Sequence, residues 1–239
     1  MSRSVLVVAA HPDDEVLGCG GTMARHAAEG DTVNVVIVAE GITSRGGAGA
    51  ADGLAELAAA ARAANAILGV AAVRLLGLPD NRLDGMDRLD LVQRVEALVA
   101  EFRPDIIYTH HAGDLNVDHR RVHEAVVTAA RPLPGCAVTT LLFFEVASST
   151  EWQPPGSAVP FVPSWFVDIS AELERKEAAL RAYSGEMRPW PHARSVQAVS
   201  HLARWRGASA GMEAAEAFML GRHLRRPVGN EGVGKGEKS

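Results

Sequence analysis

The feature that most constrains this chain is a strand-like apolar run that ends abruptly in charged residues. Residues 5–21 read VLVVAAHPDDEVLGCGG. The valine-rich part, residues 5–10, is typical of a strand buried on both faces of a parallel sheet. Four ionisable side chains follow within the five residues HPDDE, and such groups are costly at the end of a buried strand unless they are paired or bound to a metal. The segment therefore predicts a functional site at a strand end.

The HPDDE residues have the donors of a metal site. A catalytic zinc site takes three protein ligands of imidazole or carboxylate type and keeps one position open. His11 and Asp14 stand three residues apart on a strand-to-helix turn, so both can reach one ion. Pro12 restricts His11 to an extended backbone. Asp13 then points elsewhere in the same turn, free to accept a proton. Zn²⁺ suits these donors, and Fe²⁺ or another divalent ion would also bind them.

A third ligand is expected from another strand end. Ligands of open α/β sheets gather at the carboxyl ends of the strands. The predicted strand 105–109, DIIYT, runs into a polar loop that ends at Asp118 and His119. We take His119 as the third ligand. The histidines that compete with it for this role are His110, His111 and His123.

Two other interpretations of the first segment are open. Asp13 or Asp14 could cap the following helix, with Glu15 favourable in its first turn. Residues 18–21, GCGG, could belong to a phosphate-binding turn, but they lack the GxGxxG spacing and the neighbouring carboxylates would repel a pyrophosphate.

The order of predicted elements indicates an α/β fold. Strand patterns alternate with helix patterns, which is typical of a Rossmann-like, mostly parallel sheet flanked by helices. We predict a single domain over residues 1–228 and a disordered tail over 229–239, GNEGVGKGEKS. Residues 214–220 fit either a helix or an edge strand.

Composition narrows the class of partner and the compartment. The net charge is −5 and there is no basic run, which argues against nucleic acid and against a polybasic membrane patch. The two cysteines offer no disulfide framework and suit a reducing cytoplasm. The apolar run before HPDDE is too short for a signal peptide or a membrane span. We therefore expect a cytoplasmic protein with a small-molecule partner, and a homo-oligomer stays open.

The motifs resemble those of a known family. AHPDDEVLGCGG at 10–21, with NVDH at 116–119, resembles the PIG-L (LmbE-like) family of zinc-dependent de-N-acetylases. LGLPDNRLDG, GDLNVDHRRVHEAV, SSTEW and RPWPHARS also look like segments of bacterial members. The resemblance implies a zinc ion held by His11, Asp14 and His119, with Asp13 as the general base. It implies hydrolysis of the acetamide of an amino sugar or its conjugate.

One departure from the family pattern affects the proton donor. Many members carry HPDH where this chain has Asn116 to His119. Asparagine can donate a hydrogen bond to an oxyanion but cannot supply a proton. The acid role would then fall to protonated Asp13 or to another histidine such as His192. The alternatives are a zinc amidase acting on a non-sugar or thiol-conjugate amide, and a metal- or sugar-binding protein without turnover.

Substrate contacts are predicted on polar loops. An arginine suits a phosphate or carboxylate of the substrate. Asp118 is a candidate for orienting a metal ligand. The residues predicted to bind substrate are Arg45, Asn81, Asn116, His192 and Arg194.

Overall fold

The computed structural model describes residues 2–42 and 50–225. The strands are β1 (Ser4–Ala9), β2 (Thr32–Ala39), β3 (Ala72–Leu78), β4 (Ile106–His110), β5 (Thr140–Phe144), β6 (Trp165–Asp168) and β7 (Ala215–His223). The α-helices are α1 (Asp14–Ala28), α2 (Ala50–Leu68), α3 (Arg88–Phe102), α4 (Val117–Ala129), α5 (Leu173–Ala182) and α6 (Val196–Ala208). Short 3₁₀ turns span Leu83–Gly85 and Thr150–Trp152.

The strands form one seven-stranded sheet in the order β3-β2-β1-β4-β5-β7-β6. Strands β1 to β5 are parallel, whereas β7 runs antiparallel to both β5 and β6. The predicted single α/β domain with a mostly parallel sheet is confirmed. Strand order reverses beside β1, so the loops after β1 and β4 face the same crevice at the carboxyl edge.

Strand β1 lies inside the sheet, between β2 and β4, and is buried on both faces. Val5, Val7 and Ala9 pack with α1, α2 and α5 on one side. Leu6 and Val8 pack with α3 and α4 on the other side. Side chains of a strand alternate between faces, so a strand covered on both sides must be apolar at every position. This explains the unbroken apolar run before HPDDE.

Helix α1 is interrupted at Cys19, whose φ of −147° and ψ of 25° are not helical. Such a break leaves backbone groups without their partners within the helix. Glu216 of β7 accepts the N–H groups of Gly21 (2.9 Å) and Thr22 (2.7 Å). Lys176 of α5 donates to the Leu17 carbonyl at 2.9 Å and to the Glu216 carboxylate at 2.5 Å. A buried ion pair thus satisfies the groups that the break exposes.

The glycines of the GCGG segment allow close packing of α1. A side chain at Gly18 would collide with the ring of Phe144, and a Cβ at Gly21 would lie 2.7 Å from Ile169 Cδ1. Gly18 brings the start of α1 against β5, and Gly21 brings its middle against the residue that follows β6. The segment therefore serves helix packing.

One prediction for the fold is corrected. The sequence predicts a helix or an edge strand over residues 214–220, but β7 covers Ala215–His223 and lies between β5 and β6. A charged residue such as Glu216 is typical of an edge strand that faces water. Here its carboxylate is buried and accepts hydrogen bonds from the backbone of α1. The predicted tail at 229–239 lies outside the described residues.

Within the described ranges, no helix is both long and apolar enough to cross a lipid bilayer.

Candidate active site

The polar side chains predicted from the sequence meet at the carboxyl edge of the sheet. The loops that follow β1, β2, β3, β4 and β5 surround a cavity of about 110 Å³. Its lining residues are His11, Pro12, Asp13, Asp14, Gly41, Asp80, Asn81, Asn116, His119, Ser148, Ser149, Glu186 and Arg194. The cavity therefore brings together residues from separate regions of the chain.

Three of the predicted residues form a compact cluster at the base of this cavity. Asp14 Oδ2 lies 3.2 Å from His11 Nδ1 and 3.1 Å from His119 Nε2. One ligand atom of each residue lies within 4.8 Å of the others, and all three residues belong to a group that could hold a metal ion. His11 comes from the turn after β1, Asp14 from the start of α1, and His119 from the first turn of α4.

Carboxylates lie behind His11 on the side away from the cluster. His11 Nε2 is 3.1 Å from Asp118 Oδ2 and 3.2 Å from Asp80 Oδ1. Asp118 also accepts the backbone N–H groups of Asn81 (2.7 Å) and Leu83 (3.0 Å), so its carboxylate is held in place. With Nε2 turned to these two carboxylates, Nδ1 is the nitrogen that faces Asp14 and the cluster.

Another carboxylate, that of Asp114, lies behind His119 on the side away from the cluster. His119 Nδ1 lies 3.1 Å from Asp114 Oδ1. Asp114 in turn accepts hydrogen bonds from the hydroxyls of Ser149 and Thr150, the latter at 2.5 Å. These bonds and the neighbouring His119 lower the pKa of Asp114 to about 2, although burial opposes this. His119 therefore presents Nε2 to the cluster.

The donor set fits a divalent metal ion. Ligands bound to zinc at about 2.0–2.2 Å in a tetrahedron lie roughly 3.3 Å apart. The two histidine nitrogens lie at close to this distance from Asp14 Oδ2. Burial lowers the pKa of His119, but the carboxylates of Asp14 and Asp114 raise it to about 9. Burial would raise the pKa of Asp14, yet His119 and His11 hold it well below its ordinary value. Two histidines around one carboxylate provide the mixed N and O ligands that zinc and iron take.

Asp13 occupies the N-cap position of α1 but its side chain makes no capping hydrogen bond. Its backbone is left-handed, with φ of 102°, which is rare outside glycine. This conformation turns the carboxylate into the cavity, where Oδ2 lies 3.3 Å from Arg194 Nη1. Burial raises the pKa of Asp13 well above its ordinary value, and Arg194 opposes that rise. The geometry thus favours a role in the cavity over helix capping.

Glu15 is fully buried and points away from the cavity. Its Oε1 accepts hydrogen bonds from Tyr183 (2.6 Å) and Asn65 (2.8 Å), and its Oε2 accepts the N–H of Asp13. Burial raises the pKa of Glu15 to about 7, while the hydrogen bonds from Tyr183 and Asn65 oppose the rise. Glu15 therefore stabilises the backbone of the turn at Asp13 from the side that faces the protein interior.

The histidines that compete with His119 in the sequence have other contacts. His110 is buried and stacks on His119 with ring centroids 4.0 Å apart, while its Nε2 accepts the N–H of Ala10 at 2.8 Å. His111 Nε2 lies 2.8 Å from the Val159 carbonyl, and His123 Nδ1 lies 2.8 Å from the His110 carbonyl. None of the three is in the group with Asp14 among the described residues.

The predicted substrate contacts fall into three groups. Asn81, Asn116 and Arg194 line the cavity. His192 is exposed and is not among the lining residues, although its Nδ1 accepts the backbone N–H of Arg194 at 3.0 Å. Arg45 lies outside the described residues.

A larger cavity of about 730 Å³ lies at the opposite, amino-terminal edge of the sheet. Arg3, Asp105 and Thr140 are among its lining residues. It contains none of the residues that the sequence predicts for the site.

Sequence comparison assigns the family to which this arrangement belongs. The profile described as "PIG-L: GlcNAc-PI de-N-acetylase" matches residues 6–130, which include the whole cluster. The chain belongs to the PIG-L family. A relative in Saccharopolyspora erythraea, a 1D-myo-inositol 2-acetamido-2-deoxy-alpha-D-glucopyranoside deacetylase, is 30% identical, and the match covers 78% of each chain.

Solved structures share the fold of this PIG-L protein. A conserved protein of Thermus thermophilus is 28% identical with a TM-score of 0.75, covering 96% of this chain and all of that one. The N,N'-diacetylchitobiose deacetylase of Pyrococcus horikoshii is 18% identical with a TM-score of 0.74, covering 92% and 84%. The 4-carboxy-2-hydroxymuconate hydratase of Pseudomonas putida is 22% identical with a TM-score of 0.75, covering 96% and 100%. The last two likenesses show the fold alone, and their different reactions show that the fold does not decide the chemistry.

Asn116, at which this PIG-L protein departs from the HPDH pattern, uses its side chain for local hydrogen bonds. The Asn116 side chain caps α4 by accepting the N–H of Asp118 at 2.8 Å. Its Nδ2 donates to Asn81 Oδ1 at 3.1 Å. Asn116 therefore joins the loop after β3 to the start of α4 at the wall of the cavity.

Proposed function

We propose that the protein is a metal-dependent hydrolase that removes the acetyl group from an N-acetylated amino sugar or its conjugate. The observation that carries this proposal is the cluster of His11, Asp14 and His119 in one cavity with the carboxylate of Asp13. Membership of the PIG-L family and the named activity of the relative in Saccharopolyspora erythraea support the choice of substrate. We favour Zn²⁺ as the ion, with Fe²⁺ as the alternative, and a cytoplasmic location, which the composition predicts.

In this proposal the three residues of the cluster hold the ion. When bound, a divalent ion polarises the amide carbonyl and lowers the pKa of water toward about 7. Asp118 and Asp80 would orient His11, and Asp114 would orient His119, so that each ring turns the correct nitrogen toward the ion.

Asp13 is the proposed general base. Its carboxylate faces the cavity, and burial raises its pKa well above its ordinary value, which favours taking up a proton. It accepts a proton from the attacking water as the water oxygen bonds to the acetyl carbon. The same carboxyl then returns the proton to the departing amine nitrogen, since Asn116 cannot. The products are acetate and the free amine.

Amine release tests the reaction. N-acetylglucosamine, its glycosides and non-sugar acetamides would be offered to protein that is stripped of metal and then reloaded with Zn²⁺ or Fe²⁺. We expect release from the sugars only with metal present. Turnover only of non-sugar amides would overturn the substrate class.

Asp13→Asn tests the base. We expect kcat to fall about 10²- to 10⁴-fold, the range for loss of a general base, with metal content unchanged. Asp90→Asn is the matched control because Asp90 is exposed on α3. Full activity of Asp13→Asn, or full metal content in His119→Ala, would exclude the proposed roles.

A further inference from the structure

The cavity at the amino-terminal edge of the sheet lies between helix α1 and the strands, away from the metal cluster. Thr22, Arg25, His26 and Glu29 form its helical wall, and their positions i, i+3, i+4 and i+7 place them on one face of α1. The volume of the cavity, about 730 Å³, falls within the range of about 300–1,000 Å³ that pockets for small molecules span. The cavity is therefore large enough to enclose a ligand.

The strands form a wall that is largely apolar and aromatic. Leu142 of β5 and Tyr108 of β4 are almost fully buried, whereas Trp165 of β6 is 36% exposed. Val167 of β6 also lines the cavity. The wall thus runs from the protein interior to the surface, and side chains of this kind suit a ring, because an indole offers a flat apolar face.

The charged side chains around the cavity are engaged with one another or with the backbone. Glu29 lies 3.0 Å from Arg3 Nη2 and 2.8 Å from Arg25 Nε. Asp105 and Asp168 each accept a backbone N–H, at 2.8 and 2.9 Å. A charged ligand would have to compete with these contacts. The arrangement therefore favours an uncharged ligand.

Thr22 contributes a hydroxyl that the fold leaves unpaired. The residue is fully buried, and its Oγ1 has no hydrogen-bond partner within the described part of the chain. A helical threonine can donate to the carbonyl three or four residues earlier, but α1 is interrupted at Cys19 and no such bond forms. Buried polar groups are nearly always paired, because an unpaired one is costly. A polar group of a ligand in the cavity would supply the missing partner.

From the unpaired hydroxyl and the apolar wall we propose that this cavity binds an uncharged hydroxy-aromatic molecule, whose hydroxyl pairs with Thr22. The aromatic ring lies against Leu142, Trp165 and Val167. The Thr22 hydroxyl can donate and accept, so it can pair with a phenolic hydroxyl in either direction. The site shares no residue with the metal cluster, and the proposal does not depend on the deacetylase function.

Two matched probes test the proposal. 4-Fluorophenol and 4-fluorotoluene differ by a hydroxyl in place of a methyl group, and fluorine NMR titration gives the Kd of each without turnover. We expect the wild type to bind 4-fluorophenol more tightly. Thr22→Val removes the hydroxyl and keeps the branched shape, so it should reduce this preference by about 2- to 10-fold, the usual effect of one hydrogen bond.

The control variant is Thr128→Val, because Thr128 lies on α4, does not line the cavity and bonds to the Glu124 carbonyl at 2.7 Å. It should leave the preference unchanged. Trp165→Ala should weaken the binding of both probes to a similar extent, because it removes part of the apolar wall. Val167→Trp should prevent both from binding, because the larger side chain fills the cavity.

Thermal unfolding without probe gives a second readout. The Tm of Thr22→Val should equal or exceed that of the wild type, because the variant removes a hydroxyl without a partner, whereas the Tm of Thr128→Val should fall. A lower Tm for Thr22→Val would show that the Thr22 hydroxyl is already paired in the free protein and would overturn the proposal.

The binding data can overturn the proposal in three further ways. No binding of either probe to the wild type would mean that the cavity holds only solvent. An unchanged preference in Thr22→Val, or binding that persists in Val167→Trp, would place the probes elsewhere. Binding that is lost as the protein concentration rises, together with a dimer mass by light scattering, would show that a second copy of this chain covers the cavity.

Discussion

Glu15 Oε2 accepts a hydrogen bond from the backbone N–H of Asp13 at 3.1 Å. The bond holds Asp13 in its left-handed conformation, which costs on the order of 1–3 kcal/mol for a residue other than glycine. Tyr183 and Asn65 fix the other oxygen of Glu15. The orientation of the proposed base therefore depends on a buried carboxylate that faces away from the cavity.

Replacing this carboxylate by an amide should weaken catalysis without removing the metal site. In Glu15→Gln, only one side-chain oxygen accepts, so the donors from Asp13, Tyr183 and Asn65 cannot all be satisfied. We expect kcat to fall about tenfold or more and the free energy of unfolding to fall by about 1–3 kcal/mol, the usual cost of an unsatisfied buried group. KM and metal content should stay close to those of the wild type. Steady-state kinetics, metal analysis and urea unfolding measure these quantities.

The control for this variant is Glu174→Gln, since Glu174 is exposed on α5. Equal kcat in Glu15→Gln and Glu174→Gln would show that Asp13 keeps its orientation without Glu15. Loss of metal from Glu15→Gln would instead assign Glu15 to the support of Asp14.

Asp114 should determine metal affinity through His119. Asp114→Asn keeps the size of the side chain but replaces an acceptor oxygen, so the amide can no longer fix the His119 tautomer and also accept from Ser149 and Thr150. Loss of a partner of this kind costs about 10- to 100-fold in metal affinity. Competition with a chromophoric chelator measures the affinity for Zn²⁺ directly, without turnover.

Asp84→Asn is the control for Asp114→Asn, because Asp84 is exposed in the 3₁₀ turn after β3. Unchanged affinity in Asp114→Asn would mean that the metal lies elsewhere or that His119 does not hold it.

The position of the site follows from the sequence because of one rule of parallel sheets. Residues 5–10 read as a central strand and residues 105–109 as another, so the polar groups after each are expected at one edge. The structure brings His11, Asp14 and His119 together at that edge. Local sequence is sufficient here because the direction of a buried parallel strand determines where its loop goes.

The groups that support the cluster cannot be read in the same way. Asp114 lies in a polar loop, and Ser149 and Thr150 lie in the segment SSTEW. The hydrogen bonds from Ser149 and Thr150 to Asp114 depend on how the loops after β4 and β5 lie relative to each other in space. No local sequence pattern predicts this. The only available signal is the number of polar residues after each strand.

Buried charge makes the sequence misleading at two positions. The α5 sequence, LERKEAALRA, is rich in charged residues, which is typical of a solvent-facing helix, yet the side chain of Lys176 is only 3% exposed. The charged residue Glu216 suggests that β7 is an edge strand, whereas β7 lies between β5 and β6 and Glu216 is buried. Both residues are buried because α1 is broken at Cys19 and its free backbone groups need partners, and that break has no signal in the sequence beyond the surrounding glycines.

His26 should make stability depend on pH at the edge of the sheet opposite the site. Its Nδ1 donates to Asp31 at 2.8 Å and its Nε2 accepts from Tyr108 Oη at 2.9 Å, an arrangement that requires the neutral ring. Burial lowers the pKa of His26 below 6.5, although Asp31 opposes this. The folded state therefore binds the proton less tightly than the unfolded state. The contribution of neutral His26 to the free energy of unfolding is complete above about pH 6.5 and is lost as the pH falls through the lower folded pKa.

His26→Gln should be less stable than the wild type at pH 7.5, and the difference in Tm should shrink toward pH 5. The control is His201→Gln, at an exposed histidine of α6, which should show a smaller difference in Tm with little pH dependence. A difference for His26→Gln that stays constant or grows between pH 7.5 and 5 would show that His26 does not titrate with a lowered pKa.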